Sequence, residues 1–169
     1  MAGTPRNVLF LCTGNSARSV LSECLLERWS GGRFRAFSAG SKPLGAVNPH
    51  VLDLLECLGH PTDRLRSKSW NEFSGDGAPA LDVVVTVCSN AAGENCPVWV
   101  GAPLTTHWGV EDPAAVKGDD DEIAEAFLET YRILETRIRH FVSLPLEELD
   151  QSALKRELDA IGEMPAASA

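Results

Sequence analysis

Cys12 and Arg18 are separated by five small residues, Thr13-Gly-Asn-Ser-Ala17, and Ser19 follows directly. An apolar run, Val8-Leu-Phe-Leu11, leads into Cys12, and a helical pattern begins at the far end of the loop. A thiol and a guanidinium at this spacing, on a strand-to-helix turn, can hold a tetrahedral oxyanion against a thiolate. The backbone N–H groups of Thr13, Gly14, Asn15, Ser16, Ala17, Arg18 and Ser19 and the helix N-terminus would face the anion. Arg18 supplies a planar fork matched to two of its oxygens. The same positive field favours the thiolate form of Cys12, the nucleophile such chemistry needs. Gly14 lets backbone approach closely, and Asn15 tolerates the left-handed conformation of a tight loop. The Ser19 hydroxyl can donate to the Cys12 sulfur. No Gly-Lys-Ser/Thr ending follows, which excludes the nucleotide-binding phosphate loop.

The elements that must position these groups alternate along the chain. Asn7–Leu11 reads as a first strand, continuous in apolarity and therefore central in a parallel sheet. Residues 17–29 place Val20, Leu21, Cys24 and Leu25 at helical spacing, and Gly31-Gly32 stops that helix. Phe34–Ser38 is a short second strand. Pro49–Leu58 is a helix with Val51, Leu54, Leu55 and Leu58 on one face, capped by Asn48 and ended by Gly59. Leu81–Val87 and Pro103–Trp108 are the third and fourth strands. Helices are predicted over 120–141, with Ile123, Phe127, Tyr131, Leu134 and Ile138 inward, and over 151–161. This order predicts a doubly wound, three-layer α/β/α fold with a four-stranded parallel sheet, flavodoxin-like in type. Ligands of such sheets bind at the carboxyl ends of the strands. Cys12, Cys88 and the loop carrying Asp112 each follow a strand and can meet at that edge.

Composition bounds the rest. At 169 residues, 44% hydrophobic and 23% charged, the chain is expected to form one globular domain over 1–169. No stretch approaches the ~20 apolar residues of a membrane span. The N-terminal apolar run is too short for a signal peptide, so a cytoplasmic location is expected. A net charge of −9 argues against nucleic acid or an anionic membrane as partner. An oxyanion site must then be made locally, by the loop and Arg18. Asp119–Glu122 suits the N-terminus of the helix it opens. Five cysteines, an odd number, fit a reducing compartment in which a disulfide is transient and catalytic.

Cys88 closes the third strand, and Cys96 lies eight residues on, before Pro97, across a small polar segment. The pattern lacks the paired Cys-x2–4-Cys or neighbouring histidines of a zinc site. Cys24 and Cys57 fall on or beside helical core faces and are assigned to packing. His107 and Trp108 are expected to pack at a strand end. Glu111 and Asp112 both stand near the predicted site, and Pro113 makes Asp112 the better-fixed acid.

Cys12-Thr-Gly-Asn-Ser-Ala-Arg-Ser19 resembles the active-site loop shared by low-molecular-weight protein tyrosine phosphatases and the arsenate reductases built on their fold. The likeness continues through Phe37-Ser-Ala-Gly40, Val83-Val-Val-Thr-Val-Cys88, Asn95-Cys-Pro97 and His107-Trp-Gly-Val-Glu-Asp-Pro113. It implies an arsenate reductase of arsenic detoxification, thioredoxin-coupled by its Cys88-to-Cys96 spacing. Cys12 would attack arsenate, Arg18 and the loop would stabilise the oxyanion, and Asp112 would be the general acid. Cys88 and then Cys96 would carry the disulfide outward. Glutaredoxin or a low-molecular-weight thiol could replace thioredoxin as the external reductant, no cofactor would be tightly bound, and phosphate or sulfate would compete with arsenate. Eight residues of helix would hold Cys88 and Cys96 about 12 Å apart, beyond disulfide reach, so the segment between them is expected to move.

The alternative within the resemblance is a tyrosine phosphatase, which needs neither Cys88 nor Cys96 and would show weak activity even in a reductase. Ala114-Ala115 after Asp112-Pro113, with a single Tyr in the chain, suits a small inorganic oxyanion better than a phenyl ring. A non-catalytic anion- or thiol-sensing module is the third reading. Ala17 stands where many relatives carry another cysteine. Some arsenate reductases bind potassium beside the loop, and Asn15, Glu23 and Ser38 match that site. Arg66-Ser-Lys-Ser-Trp70, however, lacks the acidic ligand, and Lys68 brings an opposing charge.

Overall fold

The computed structural model describes residues 4–88 and 98–164. Cys96, and the segment expected to move, lie outside the described residues. Strands β1 (Arg6–Cys12), β2 (Phe34–Gly40), β3 (Val83–Thr86) and β4 (Leu104–His107) form one parallel sheet in the order β2-β1-β3-β4. Helices α1 (Arg18–Trp29), α2 (Pro49–Cys57), α3 (Asp120–Val142) and α4 (Gln151–Gly162) complete a three-layer α/β/α arrangement. Val8 to Cys12 are buried without interruption because β1 has a neighbour on either side and covered faces. The third and fourth strands are shorter than predicted. Backbone pairing nevertheless runs past them, with Val87 N–H donating to Leu11 O and Trp108 N–H to Thr86 O, both at 2.8 Å.

Register sets the site. Leu11 stands opposite Ala39 and Thr86, Cys12 opposite Gly40, and Thr86 opposite His107. The segments that leave β1, β3 and β4 therefore emerge side by side at the carboxyl edge, as the sequence predicts.

Helix ends follow their caps. Asn48 accepts from His50 N–H ahead of Pro49, Asp119 from Glu122 N–H, and Asp150 from Ala153 N–H. Helix α1 differs: Ala17 precedes it and offers no side-chain cap. On α3 the buried stripe comprises Phe127, Tyr131, Leu134, Ile138 and Phe141, which packs along α1, whereas Ile123 is half-buried. Trp108 is fully buried and donates from Nε1 to Leu158 O at 2.9 Å, tying the end of β4 to α4. Cys24 is buried as assigned. Cys57, assigned to packing, is instead exposed at the last turn of α2, because the buried face of that short helix is carried by Val51 and Leu55.

Candidate active site

The loop after β1 is held by its carbonyls. Lys42 N–H donates to Thr13 O, Leu44 N–H and the Ser67 hydroxyl to Gly14 O, and Asn48 N–H to Ser16 O, at 2.9–3.0 Å. In a trans peptide the carbonyl and the following N–H point in opposite directions. Carbonyls turned out toward residues 42–48 and 67 thus turn the N–H groups of Gly14, Asn15 and Ala17 into the loop. The uncapped start of α1 faces the same space, so the backbone supplies the donors of an anion site. Asn15 adopts φ +45°, the left-handed conformation its type tolerates.

Cys12 is 3% exposed, and its Sγ lies 2.9 Å from Ser19 Oγ. Asn15 Nδ2 donates to that same hydroxyl at 2.8 Å, which leaves the Ser19 proton for the sulfur. Asn15 Oδ1 in turn accepts from Lys68 N–H at 2.8 Å. Sequence reasoning missed the requirement at Gly40. A Cβ there would stand 2.4 Å from Thr13 O and 3.0 Å from Cys12 O, so the loop can close over β2 only at glycine.

Arg18 and Asp112 face one another across a cavity of about 520 Å³. Arg18 Nη1 donates to Val110 O at 3.1 Å, and Nη2 lies 3.7 Å from Asp112 Oδ2. The other Asp112 oxygen accepts from Ala114 N–H and caps the short turn Pro113–Ala115, the fixing that Pro113 predicted. Cys88 lines the same cavity, 2% exposed, with its Sγ 3.6 Å from Thr13 Oγ1. The second thiol therefore sits one side-chain contact from the residue that follows Cys12. Glu111 also lines the cavity.

His107 departs from its expected packing role. It is exposed, lines this cavity and holds Thr86 Oγ1 through Nδ1 at 2.8 Å. Its ring folds back on Gly109, where a Cβ would lie 2.6 Å from Nε2. Trp108, by contrast, is core. Arg137 is a second residue not singled out by sequence. Buried on α3, it donates from Nη1 to Gly109 O at 3.1 Å and from Nη2 to Met164 O at 3.4 Å. Burial lowers its pKa, and its Nε has no hydrogen-bond partner among the described residues.

Cys24 does not share the nucleophilic setting. Burial first, then the fields of Glu23 and Glu27, push its thiol up to about 12, so it stays protonated and inert.

The potassium site suggested by Asn15, Glu23 and Ser38 does not fit a bound ion. The Lys68 ammonium stands 3.8 Å from Glu23 Oε1 and 3.4 Å from Ser38 Oγ, and the Asn15 oxygen is taken by Lys68 N–H. Among the described residues there is also no cluster of three or more His, Cys, Asp or Glu able to hold a metal.

A buried thiol at the head of a donor-lined loop and an arginine–carboxylate pair share the carboxyl edge of the parallel sheet of a doubly wound fold. The sequence profile of the family described as low molecular weight phosphotyrosine protein phosphatase matches residues 7–158, and the chain belongs to that family. Arsenate reductase 1 of Staphylococcus epidermidis is 35% identical over 135 residues, covering 75% of this chain and 95% of that protein. The solved arsenate reductase of Archaeoglobus fulgidus superposes with a TM-score of 0.61 at 28% identity, covering 81% of this chain and 99% of that one. A thioredoxin-dependent arsenate reductase of Corynebacterium glutamicum gives a TM-score of 0.59 at 28% identity, covering 83% of this chain, which spans 62% of that protein.

Proposed function

We propose that this protein reduces arsenate to arsenite through the thiols of Cys12, Cys88 and Cys96. The observation that carries the reading is the buried Cys88 in the same cavity as Arg18 and Asp112, in contact with the oxyanion loop. A phosphatase has no use for it. The arsenate reductases to which the chain is similar support the same reading.

The Cys12 thiolate attacks arsenic, forming an S–As bond. Asp112 gives a proton to the departing hydroxide, which leaves as water. Loop N–H groups and Arg18 hold the remaining oxyanion charge. For this, Arg18 turns from Asp112 to the anion. Cys88 thiolate then attacks Cys12 Sγ. As the S–S bond forms the S–As bond breaks, its electron pair stays on arsenic, and arsenite leaves with arsenic reduced from +5 to +3. Cys96 thiolate next attacks Cys88 Sγ and expels the Cys12 thiolate. A Cys88–Cys96 disulfide remains, and an external dithiol of the thioredoxin type reduces it by the same exchange.

The test supplies arsenate with thioredoxin, thioredoxin reductase and NADPH, and in a second arm with glutaredoxin and glutathione. Cys12→Ser, Cys88→Ser and Cys96→Ser are assayed beside the unaltered enzyme. Arsenate turnover is expected to vanish in all three, and hydrolysis of an aryl phosphate only in Cys12→Ser. Full arsenate turnover by Cys88→Ser in both arms would overturn the relay, and an unaltered enzyme that hydrolyses the aryl phosphate but turns over no arsenate in either arm would leave an ester hydrolase.

A further inference from the structure

Behind the oxyanion loop lies a pair of opposite charges that none of these steps uses. The side chains of Lys68 and Glu23 are 9% and 14% exposed. Around the Lys68 ammonium stand Glu23 Oε1 at 3.8 Å, Ser38 Oγ at 3.4 Å and Arg66 O at 3.3 Å, and Ser38 donates on to Glu23 Oε1 at 3.1 Å. A carboxylate, a hydroxyl and a carbonyl are the all-oxygen surroundings that hard cations select. Burial acts against both charges, raising the carboxyl of Glu23 and lowering the ammonium of Lys68, so each holds its charge there because the other does.

Lys68 is also stitched into the loop by its backbone. Its N–H donates to Asn15 Oδ1 at 2.8 Å, and its carbonyl accepts from Gly40 N–H at 2.9 Å. Asn15 orients Ser19, and Ser19 touches the Cys12 sulfur. Any shift of Lys68 toward or away from Glu23 is therefore passed to the nucleophile through two side chains.

We propose that Lys68 is a positioning residue whose ammonium is the built-in counter-cation of Glu23, so that the oxyanion loop is held in its anion-binding shape without an alkali ion. The misfit of a bound potassium at Asn15, Glu23 and Ser38 then has a physical reason: the cation is covalently part of the chain. The inference rests on the proposed function only in taking the loop to bind an oxyanion. Binding is therefore read with inorganic phosphate, and a failed reductase assay leaves the outcomes below unchanged.

Phosphate is titrated calorimetrically into the reduced full-length protein in potassium, sodium or choline chloride at equal ionic strength. The unaltered protein is expected to bind equally in all three. Lys68→Met should bind about tenfold more weakly in choline, with potassium restoring most of the loss, a coupling of ordinary size between linked sites. The double variant Glu23→Gln/Lys68→Met, with no charge left to neutralise, should show no potassium response. A potassium-specific gain in the unaltered protein, or in the double variant, overturns the proposal. So does Lys68→Met binding in choline as tightly as its parent. Should Lys68→Met fail to fold, the other two proteins still decide.

Discussion

Ser19 meets two partners with one hydroxyl, accepting from Asn15 Nδ2 and facing Cys12 Sγ, so the direction of its proton is set by the amide behind it. Asp112 is divided in a similar way, one oxygen spent on Ala114 N–H and the other turned to Arg18. Only the second is available to a substrate. Asp112→Asn preserves the cap oxygen and the shape of the side chain but removes the transferable proton. Phosphate affinity is expected to stay close to that of the parent, while single-turnover arsenate reduction slows by about 10²–10⁴-fold, the usual worth of a positioned acid. A near-parental rate in Asp112→Asn would move the acid role elsewhere, with Glu111 in the same cavity as the next candidate. At this scale the sequence exposes residue types and spacing, and so Cys12, Asn15, Arg18, Ser19 and Asp112 are legible. It does not expose close approach. Gly40 matters because the carbonyl of Thr13 would meet its Cβ, which no local pattern shows, whereas Lys68 was legible as an opposing charge near Glu23 but not as the side chain that folds back onto it.

Between β4 and α3 the acid-bearing segment is held at two successive carbonyls, Val110 by Arg18 and Gly109 by Arg137. Arg18 must let go when it takes the oxyanion, which leaves Arg137 as the standing side-chain tether beside the backbone bond from Val110 N–H to Val87 O at 3.2 Å. Its burial without a carboxylate partner among the described residues is costly, and the guanidinium stays because two carbonyls, Gly109 and Met164, accept from it. The sequence did hold a signal for this residue. Arg137 falls three positions after Leu134 and one before Ile138, so it lies on the apolar stripe of α3 where a cation requires a reason. Arg137→Met keeps the bulk and releases the loop. Arsenate turnover is expected to fall by about 10–100-fold through misplacement of Asp112, with phosphate affinity little changed. Arg137→Lys, able to reach one carbonyl, should recover part of that loss. A drop in phosphate affinity that matches the drop in turnover would mean that the oxyanion loop, not the acid, depends on Arg137.

Across the whole molecule the pattern of strands and helices was enough to bring Cys12, Cys88 and Asp112 to one edge, because parallel order and strand-end ligand sites follow from alternation alone. The clasp that joins the helices was not legible, since it is built from residues far apart along the chain. His60, 6% exposed just beyond α2, holds Tyr131 of α3 through Nε2 at 2.7 Å. Arg28 of α1 reaches both Leu58 O, at 2.6 Å, and the Tyr131 hydroxyl, at 3.5 Å. Burial, and next the Arg28 charge, lower the His60 pKa from 6.5 to about 4, while the same burial raises that of Tyr131. The sign follows from which state binds the proton first. Between about pH 6.5 and pH 4 the unfolded imidazole is protonated and the folded one is not, so the unfolded state gains and stability falls as pH drops through that window. At about 1.36 kcal/mol per unit, going from about pH 7 to about pH 4.5 should cost roughly 2 kcal/mol from His60 alone. Urea unfolding of the parent and of His60→Gln at those two pH values isolates the contribution, because the carboxylates that also titrate are common to both. The parent is expected to lose about 2 kcal/mol more than His60→Gln over the interval, and equal losses would show that His60 is protonated in place without opening the clasp.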